Sequence, residues 1–282
     1  MNIVFNSDNQ KNVCFKFKVK TKNLEGICFR AKDMDNKYSY YANHTVPVKG
    51  YRECYIKLPI TPKRLEIQIF NKKNGNLPKG KDRSFEFESS IEKLKTFDYW
   101  CSDDEKEFFD FALEFSVKCG NLKSSINNEE EENKYIYFSK NKKFKISYYD
   151  DITMFNQVLN TPSRIWHNDG IIDVAKNKFL EYTIPQRLIV LLHEYSHKYN
   201  NPLINHDISY EVGADINALY MYLAYGFSEL EALVSWLYIF DGNYNSYNEH
   251  RYNIIRYFTE EFLKGKINKF SNYDDNMALK LE

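Results

Sequence analysis

The chain has 282 residues, of which 43% are hydrophobic and 17% aromatic. This composition excludes an intrinsically disordered chain and allows one large or two ordinary domains. The 39 Lys and Arg residues balance the 39 Asp and Glu residues, but residues 1–90 hold 18 basic and 9 acidic side chains, and residues 91–282 hold 21 and 30. A split of this size predicts two modules with different surfaces.

Cysteine usage and hydropathy indicate the cellular location of the protein. The five cysteines are odd in number and form no C-x-x-C pair, which favours reduced thiols inside the cell. No signal peptide is evident at the N-terminus, and the longest apolar runs, 188–192 and 232–240, are too short to cross a bilayer. We therefore expect a soluble, cytoplasmic protein with no membrane partner. The basic module could face an acidic partner or the acidic part of its own chain, and nucleic acid is not the expected partner.

The first ninety residues predict a small β-sandwich. Phe15, Phe17 and Val19 alternate with lysines, which is the period of a half-buried strand. Residues 65–69 repeat this alternation, and turn-forming residues at 74–75 and 78–80 separate further short strands. Several short strands at this spacing favour a sandwich over residues 1–90.

Residues 91–130 predict a helical linker with an acidic loop. Ser102 and Glu105 have the spacing of a capping box, which would begin a helix. Cys119-Gly120 would end that helix. The four glutamates at 129–132 predict a solvated loop.

Residues 131–282 predict an α+β domain, and the whole chain is therefore assigned to the α+β class. Runs at 135–138 and 144–149 read as a hairpin, and 171–174 as an edge strand. Four helices follow, at 183–199, from near Asp207 or Ser209 to Gly226, at 228–241 and at 247–264.

The segment His193-Glu194-Tyr195-Ser196-His197 carries the chemistry. On a helix, positions i and i+4 share a face, so that both imidazoles can reach one metal ion. Glu194 lies beside them, where it can accept a proton from a metal-activated water. The segment predicts a Zn2+ site with His193 and His197 as ligands and Glu194 as catalytic base.

The next helix offers a third ligand. Glu211 can complete the metal site, and Asp215, one turn later on the same face, can accept the other N–H of a ligand histidine. His206 competes with Glu211 for the third position. A metzincin-type site would need a histidine at position 203, where the chain has Leu203.

These two motifs resemble the gluzincin pattern, H-E-x-x-H followed by E-x-x-x-D on the next helix, as in thermolysin-like enzymes. The form E-x-x-A-D is closer to the HtpX and CAAX-prenyl protease family and its soluble relatives, the minigluzincins. The resemblance covers residues 165–256. The sequence departs from HtpX itself in having no transmembrane helices. It implies a zincin-like metallopeptidase domain over 131–282, with a hairpin, edge strands, the active-site helix and C-terminal helices.

The same family tends to carry a later H-P-x-x-x-x-R motif. This chain has His250 and Arg256 at that spacing, with Arg251 in place of the proline. The resemblance implies that His250 steadies the oxyanion of the transition state and that Arg256 supports the fold; a tyrosine that the sequence does not identify is the alternative for the oxyanion role. His167, which precedes 171–174, is expected to be a loop residue, and the sequence offers His44 no partner.

The predicted function is a zinc-dependent metallopeptidase that acts on a peptide or protein substrate. The alternative is a structural or assembly protein on a zincin fold, for example a phage virion component, whose zinc braces the fold or is vestigial. Its basic N-terminal module would then dock on an assembly partner, and the protein would lie in the virion. A third hypothesis is a regulator that cleaves one dedicated substrate, which is a special case of the first.

Overall fold

The computed structural model describes residues 2–7, 11–36, 38–74, 84–94, 101–124, 135–155, 157–199, 210–241 and 245–265. The chain is a mixed α/β protein with several sheets. It divides into two compact units. Unit 1 comprises Met1–Phe97, Thr183–Pro185 and Tyr225–Glu231, and unit 2 comprises Asp98–Tyr182, Gln186–Ala224 and Ala232–Glu282.

Unit 1 contains a five-stranded sheet of order β1-β4-β2-β3, with β5 also paired to β2. The long strands β2 and β3 pair in antiparallel fashion over almost their whole length, with a register shift between Thr21 and Glu25. On the other edge of β2, β5 pairs before this shift and β4 after it. The strands are β1 (Asn2–Asn6), β2 (Lys11–Asp33), β3 (Tyr40–Ile60), β4 (Arg64–Asn71) and β5 (Glu86–Lys93).

The two halves of β2 pack against each other in the core of unit 1. Phe17 and Phe29 lie on opposite sides of the register shift, yet their ring centroids are 5.8 Å apart. A straight strand would separate residues twelve positions apart by about 40 Å, so the sheet must bend sharply. The strands predicted for residues 1–90 are therefore present and form one sheet that bends back on itself, while their arrangement as a small β-sandwich stays a prediction.

Unit 1 gives His44 the partner that the sequence did not indicate. An imidazole nitrogen of His44 is hydrogen-bonded to the carboxylate of Glu231, and each side chain is 4% exposed. Nearby, Lys57 Nζ donates to Glu229 Oε2 at 2.6 Å. Both carboxylates belong to the Tyr225–Glu231 part of unit 1.

Unit 2 contains a four-stranded sheet of order β10-β11-β7-β6 and a separate two-stranded hairpin, β8-β9. The predicted hairpin of β6 and β7 is confirmed. The strand predicted at the sheet edge, β11, instead pairs with β7 on one side and β10 on the other, so that prediction is wrong. The strands are β6 (Ile136–Phe138), β7 (Lys145–Tyr149), β8 (Thr153–Met154), β9 (Gln157–Val158), β10 (Ser163–Ile165) and β11 (Ile171–Ala175).

Six helices lie in the described part of the chain; five of them were predicted from capping and apolar signals, and the four-residue helix at Lys176–Phe179 was not. The capping box of α1 is present: Ser102 Oγ accepts from Glu105 N at 3.2 Å, and Ser102 N donates to Glu105 Oε2 at 2.7 Å. The helices are α1 (Asp103–Lys118), α2 (Lys176–Phe179), α3 (Ile184–Lys198), α4 (Tyr210–Ala224), α5 (Glu229–Asp241) and α6 (Ser246–Leu263).

Several predicted features lie outside the described residues: the turn residues 75 and 78–80, the acidic run 129–132, and the start of the second helix near Asp207 or Ser209. Among the residues that are described, no helix has both the length and the apolar character needed to cross a lipid bilayer.

Aromatic packing fixes the rotation of α3 about its axis. Tyr195 lies between the two motif histidines in sequence and is 2% exposed. Its ring stacks on Phe108 of α1, with centroids 4.2 Å apart, and Phe144 contacts both rings. The helix that was predicted as part of a linker thus packs inside unit 2. Because Tyr195 is held on one face, the histidines are directed to another.

Candidate metal centre

The two motif histidines of α3 point at a common position. Their Nε2 atoms are 2.9 Å apart, and the ring planes are nearly perpendicular, at 87°. Glu211, in the first turn of α4, places one carboxylate oxygen 3.4 Å from His193 Nε2 and the other 3.6 Å from His197 Nε2. His193, His197 and Glu211 each offer a ligand atom, and these atoms lie within 4.8 Å of one another. No other such group occurs among the described residues.

The chemistry of this donor set fits a divalent cation. Two imidazole nitrogens and one carboxylate form the three-ligand set of catalytic zinc sites, which keep a further position open. His193 Nδ1 donates to Asp215 Oδ1 at 2.9 Å, and Asp215 is 1% exposed. This bond assigns the proton to Nδ1 and leaves the Nε2 lone pair for a cation. His193, His197 and Glu211 could therefore hold Zn2+.

In the metal-free protein, His193 carries the positive charge and His197 is neutral. Burial lowers the pKa of His193, but the bonds to Asp215 and Glu211 outweigh it and raise that pKa to about 10. Burial and the charge of His193 lower the pKa of His197 to about 4. The hydrogen bond from His193 keeps the pKa of Glu211 below its usual range. A cation bound here would replace the proton on Nε2 of His193, while Nδ1 keeps its proton for Asp215.

Glu194 is hydrogen-bonded to the outer strand of the sheet, and its charge interacts with those of His193 and Glu211. Its Oε1 accepts a hydrogen bond from Ser163 Oγ on β10 at 2.9 Å, and the backbone of Ile165 also bonds to it. Burial raises the pKa of Glu194, while the charge of His193 and the bond from Ser163 oppose this shift. A raised pKa suits a carboxylate that must take up and release a proton near neutral pH.

Arg251 on α6 joins the site, although the sequence marks it only as the residue that replaces the proline of the family motif. Its Nε and Nη2 donate to the two oxygens of Asp215 at 2.7 and 2.9 Å. Nη2 is also 3.2 Å from Glu211 Oε2. The signal was present in the sequence, because Arg251 lies on the same helical stripe as the buried residues Asn248 and Ile255.

The structure does not bring His250 or Arg256 to the cluster. Both side chains are exposed on α6. Among the described residues, no contact of the cluster involves either of them. Successive helical positions point about 100° apart, so the turn that directs Arg251 inwards directs His250 outwards. The oxyanion role expected for His250 therefore has no geometric support.

Tyr210 is a neighbour of the site that the sequence did not reveal. Its ring stacks on His197 with centroids 4.5 Å apart, and its hydroxyl donates to the His197 carbonyl at 2.7 Å. The same hydroxyl lies 3.3 Å from His167 Nε2. His167 is exposed in the loop between β10 and β11, as expected. His206, the competing ligand, and Leu203 lie outside the described residues.

No protein-family model matches the chain, and no curated protein matches it in sequence. Its function must be inferred from the arrangement of its own residues. The structure brings together five of the residues singled out from the sequence: His193, Glu194, His197, Glu211 and Asp215.

Proposed function

We propose that this protein is a zinc-dependent metallopeptidase of the gluzincin type, which hydrolyses peptide bonds in a peptide or protein substrate. One observation carries the proposal. The donor atoms of His193, His197 and Glu211, from two helices, converge within 4.8 Å, and a half-buried carboxylate, Glu194, lies next to them in sequence.

His193, His197 and Glu211 would hold the ion, which when bound supplies Lewis acidity that polarises the scissile carbonyl and lowers the pKa of water. Glu194 accepts a proton from the attacking water and returns it to the leaving amine. Asp215 keeps His193 in the tautomer and orientation that the site needs. Ser163 holds the Glu194 carboxylate in place.

The position of β10 supports a peptide substrate. Within the described residues, β10 is the outer strand of its sheet and pairs with β11 alone. An extended peptide can add to such an edge by backbone hydrogen bonding. Ser163 and Ile165, which bond to Glu194, both lie on β10. A peptide paired with this strand would run beside the general base.

The finer fold assignment belongs to the same proposal. We infer that residues 131–282 form a zincin-like domain, in which the β10-β11-β7-β6 sheet accompanies the active-site helix α3. Two features support this inference: the bonds from β10 to Glu194 on α3, and the supply of Glu211 by the next long helix, α4. A cytoplasmic location is the expected setting for such an enzyme.

The charge split supports a second candidate, a structural or assembly role in a phage virion. Residues 1–90 hold 18 basic and 9 acidic side chains, which suits docking on an acidic assembly partner. In that role the metal would brace α3 against α4, and Glu194 would be dispensable.

The test compares the native protein with Glu194→Gln, and Glu249→Gln on α6 serves as a matched control because Glu249 is exposed. The metal content of each protein is measured by mass spectrometry, and hydrolysis is followed on a peptide library. We expect equimolar zinc in all three, and a loss of about 100-fold or more in hydrolysis for E194Q alone. Removal of zinc with a chelator should abolish hydrolysis, and added zinc should restore it.

A wild-type protein that retains no zinc, or an E194Q variant that hydrolyses peptides as fast as wild type, would overturn the peptidase proposal. Zinc at full occupancy with no hydrolysis of any peptide would move the assignment to the assembly role.

A further inference from the structure

Arg251 connects two carboxylates of α4 that have different tasks. Asp215 accepts the Nδ1 proton of His193, and Glu211 is the carboxylate ligand of the proposed site. Arg251 makes a two-pronged contact with Asp215, at 2.7 and 2.9 Å, and reaches Glu211 Oε2 at 3.2 Å. One guanidinium therefore contacts both carboxylates.

The surroundings of Arg251 hold it in this position. Its side chain is 12% exposed. The guanidinium carbon lies 4.8 Å from the ring centre of Phe240 and 5.7 Å from that of Tyr247. Aromatic faces attract a cation at these distances, and they also limit the rotamers that the side chain can adopt. A planar guanidinium presents its N–H groups in a rigid fork, which a lysine ammonium cannot reproduce.

We propose that Arg251 is a positioning residue of the metal centre, which occupies Oε2 of Glu211 and so leaves Oε1 as the oxygen offered to the cation. This inference rests on the metal site of the proposed function. It concerns which oxygen of Glu211 binds the cation, and not whether peptide hydrolysis occurs.

The reason is geometric. A carboxylate can bind a cation through one or both oxygens. Oε2 of Glu211 lies 3.4 Å from His193 Nε2 and 3.2 Å from Arg251, while Oε1 lies 3.6 Å from His197 Nε2, so both oxygens are near enough to contribute. A catalytic zinc site needs an open position for water, which a second carboxylate oxygen would crowd. The ion pair between Arg251 Nη2 and Glu211 Oε2 competes with that second contact.

Charge balance supports the same role. Glu194, Glu211 and Asp215 bring three carboxylates into one cluster, in which Asp215 is buried and Glu194 half-buried, and burial of unbalanced charge is costly. A divalent cation supplies two positive charges and Arg251 the third. Loss of Arg251 would leave Asp215, which is 1% exposed, without its bidentate partner.

The experiment replaces the bound metal with Co2+, whose visible absorption reports its coordination number. Arg251→Met and Arg251→Gln both remove the guanidinium N–H groups that contact Asp215 and Glu211. The Gln variant keeps a polar side chain and serves if the Met variant does not fold. Arg256→Met is the matched control, because Arg256 is exposed on the same helix. Circular dichroism verifies folding, and chelator titration verifies Co2+ loading.

We expect wild type and R256M to show the intense visible bands of four-coordinate Co2+. R251M and R251Q should lose most of that intensity, since Glu211 then binds through both oxygens. A purely structural role for Arg251 would lower the melting temperature without changing the spectrum of the folded, loaded protein. Wild-type spectra for both variants would overturn the inference and leave the proposed function intact. A wild-type protein that binds neither Co2+ nor Zn2+ would instead overturn the proposed function, and this inference with it.

Discussion

Ser163 ties Glu194 to the sheet: its Oγ donates to Glu194 Oε1 at 2.9 Å, and Ser163 is 3% exposed. Glu194 lies on α3 and Ser163 on β10, so this hydrogen bond links α3 to the outer strand of the sheet. Without it, the half-buried Glu194 carboxylate would keep only part of the hydrogen bonding that stabilises its charged form.

Replacement of Ser163 by Ala should therefore lower turnover without removing the metal. A hydrogen bond to a charged group contributes about 1.5–3 kcal/mol, so we expect kcat to fall by about tenfold or more. Zinc content should not change, because none of the described contacts of Ser163 involves the proposed ligands His193, His197 and Glu211. Steady-state kinetics and metal analysis check both points. The exposed Ser246→Ala is the control, and equal kcat for S163A and S246A would contradict the role assigned to Ser163.

Asp215→Asn should weaken metal binding. The amide keeps the shape of the carboxylate but loses the charge that orients His193 and pairs with Arg251. Loss of such a partner costs about 10- to 100-fold in metal affinity, which a competition titration with a chromophoric chelator measures. Asp110→Asn, an exposed change on α1, is the control. A zinc affinity for D215N within twofold of the control would exclude Asp215 from the metal centre.

The local part of the fold was predictable because helix signals are local. The spacing of His193 and His197 defines one face of α3 whatever surrounds it, and the Ser102–Glu105 capping box lies within one helical turn. The acidic face of α4 follows from the same rule. These features depend on residues three or four positions apart, and the sequence contains them in full.

Sheet neighbours were less predictable because they depend on distant pairing. β10 has three residues, too few to show a strand period, so β11 was mistaken for the edge strand. The bend of β2 likewise leaves no mark in the alternation of Phe15, Phe17 and Val19. On α6, the family motif directed attention to His250, whereas the stripe of buried residues runs through Arg251. The helical period of this chain was the better guide.

Phe108 should be needed for stability, because it stacks on Tyr195 and meets Phe144 edge-on at 5.2 Å. Phe108→Ala would leave a cavity beside α3, and buried Phe→Ala changes cost about 3–5 kcal/mol. We expect a clear fall in the melting temperature of the protein. Phe155→Ala is the matched control, since Phe155 is 88% exposed, and its melting temperature should not change. Equal melting temperatures for the two variants would show that the Phe108–Tyr195 stack contributes little.

The cysteine thiols should differ in reactivity according to burial. Burial, with a smaller contribution from the charge of Glu105, raises the pKa of Cys101 to about 12. Burial also raises the pKa of Cys14, Cys54 and Cys119, whereas Cys28 is only half-buried. The thiolate is the reactive form and is populated above the pKa, so labelling of Cys101 should increase only as the pH approaches 12. In the folded protein at pH 8 we therefore expect iodoacetamide to label Cys28 first, as mass spectrometry of the digested protein would show. Labelling of all five cysteines in denaturant is the control. If Cys101 is labelled as fast as Cys28 in the folded protein, α1 does not shield the Cys101 thiol.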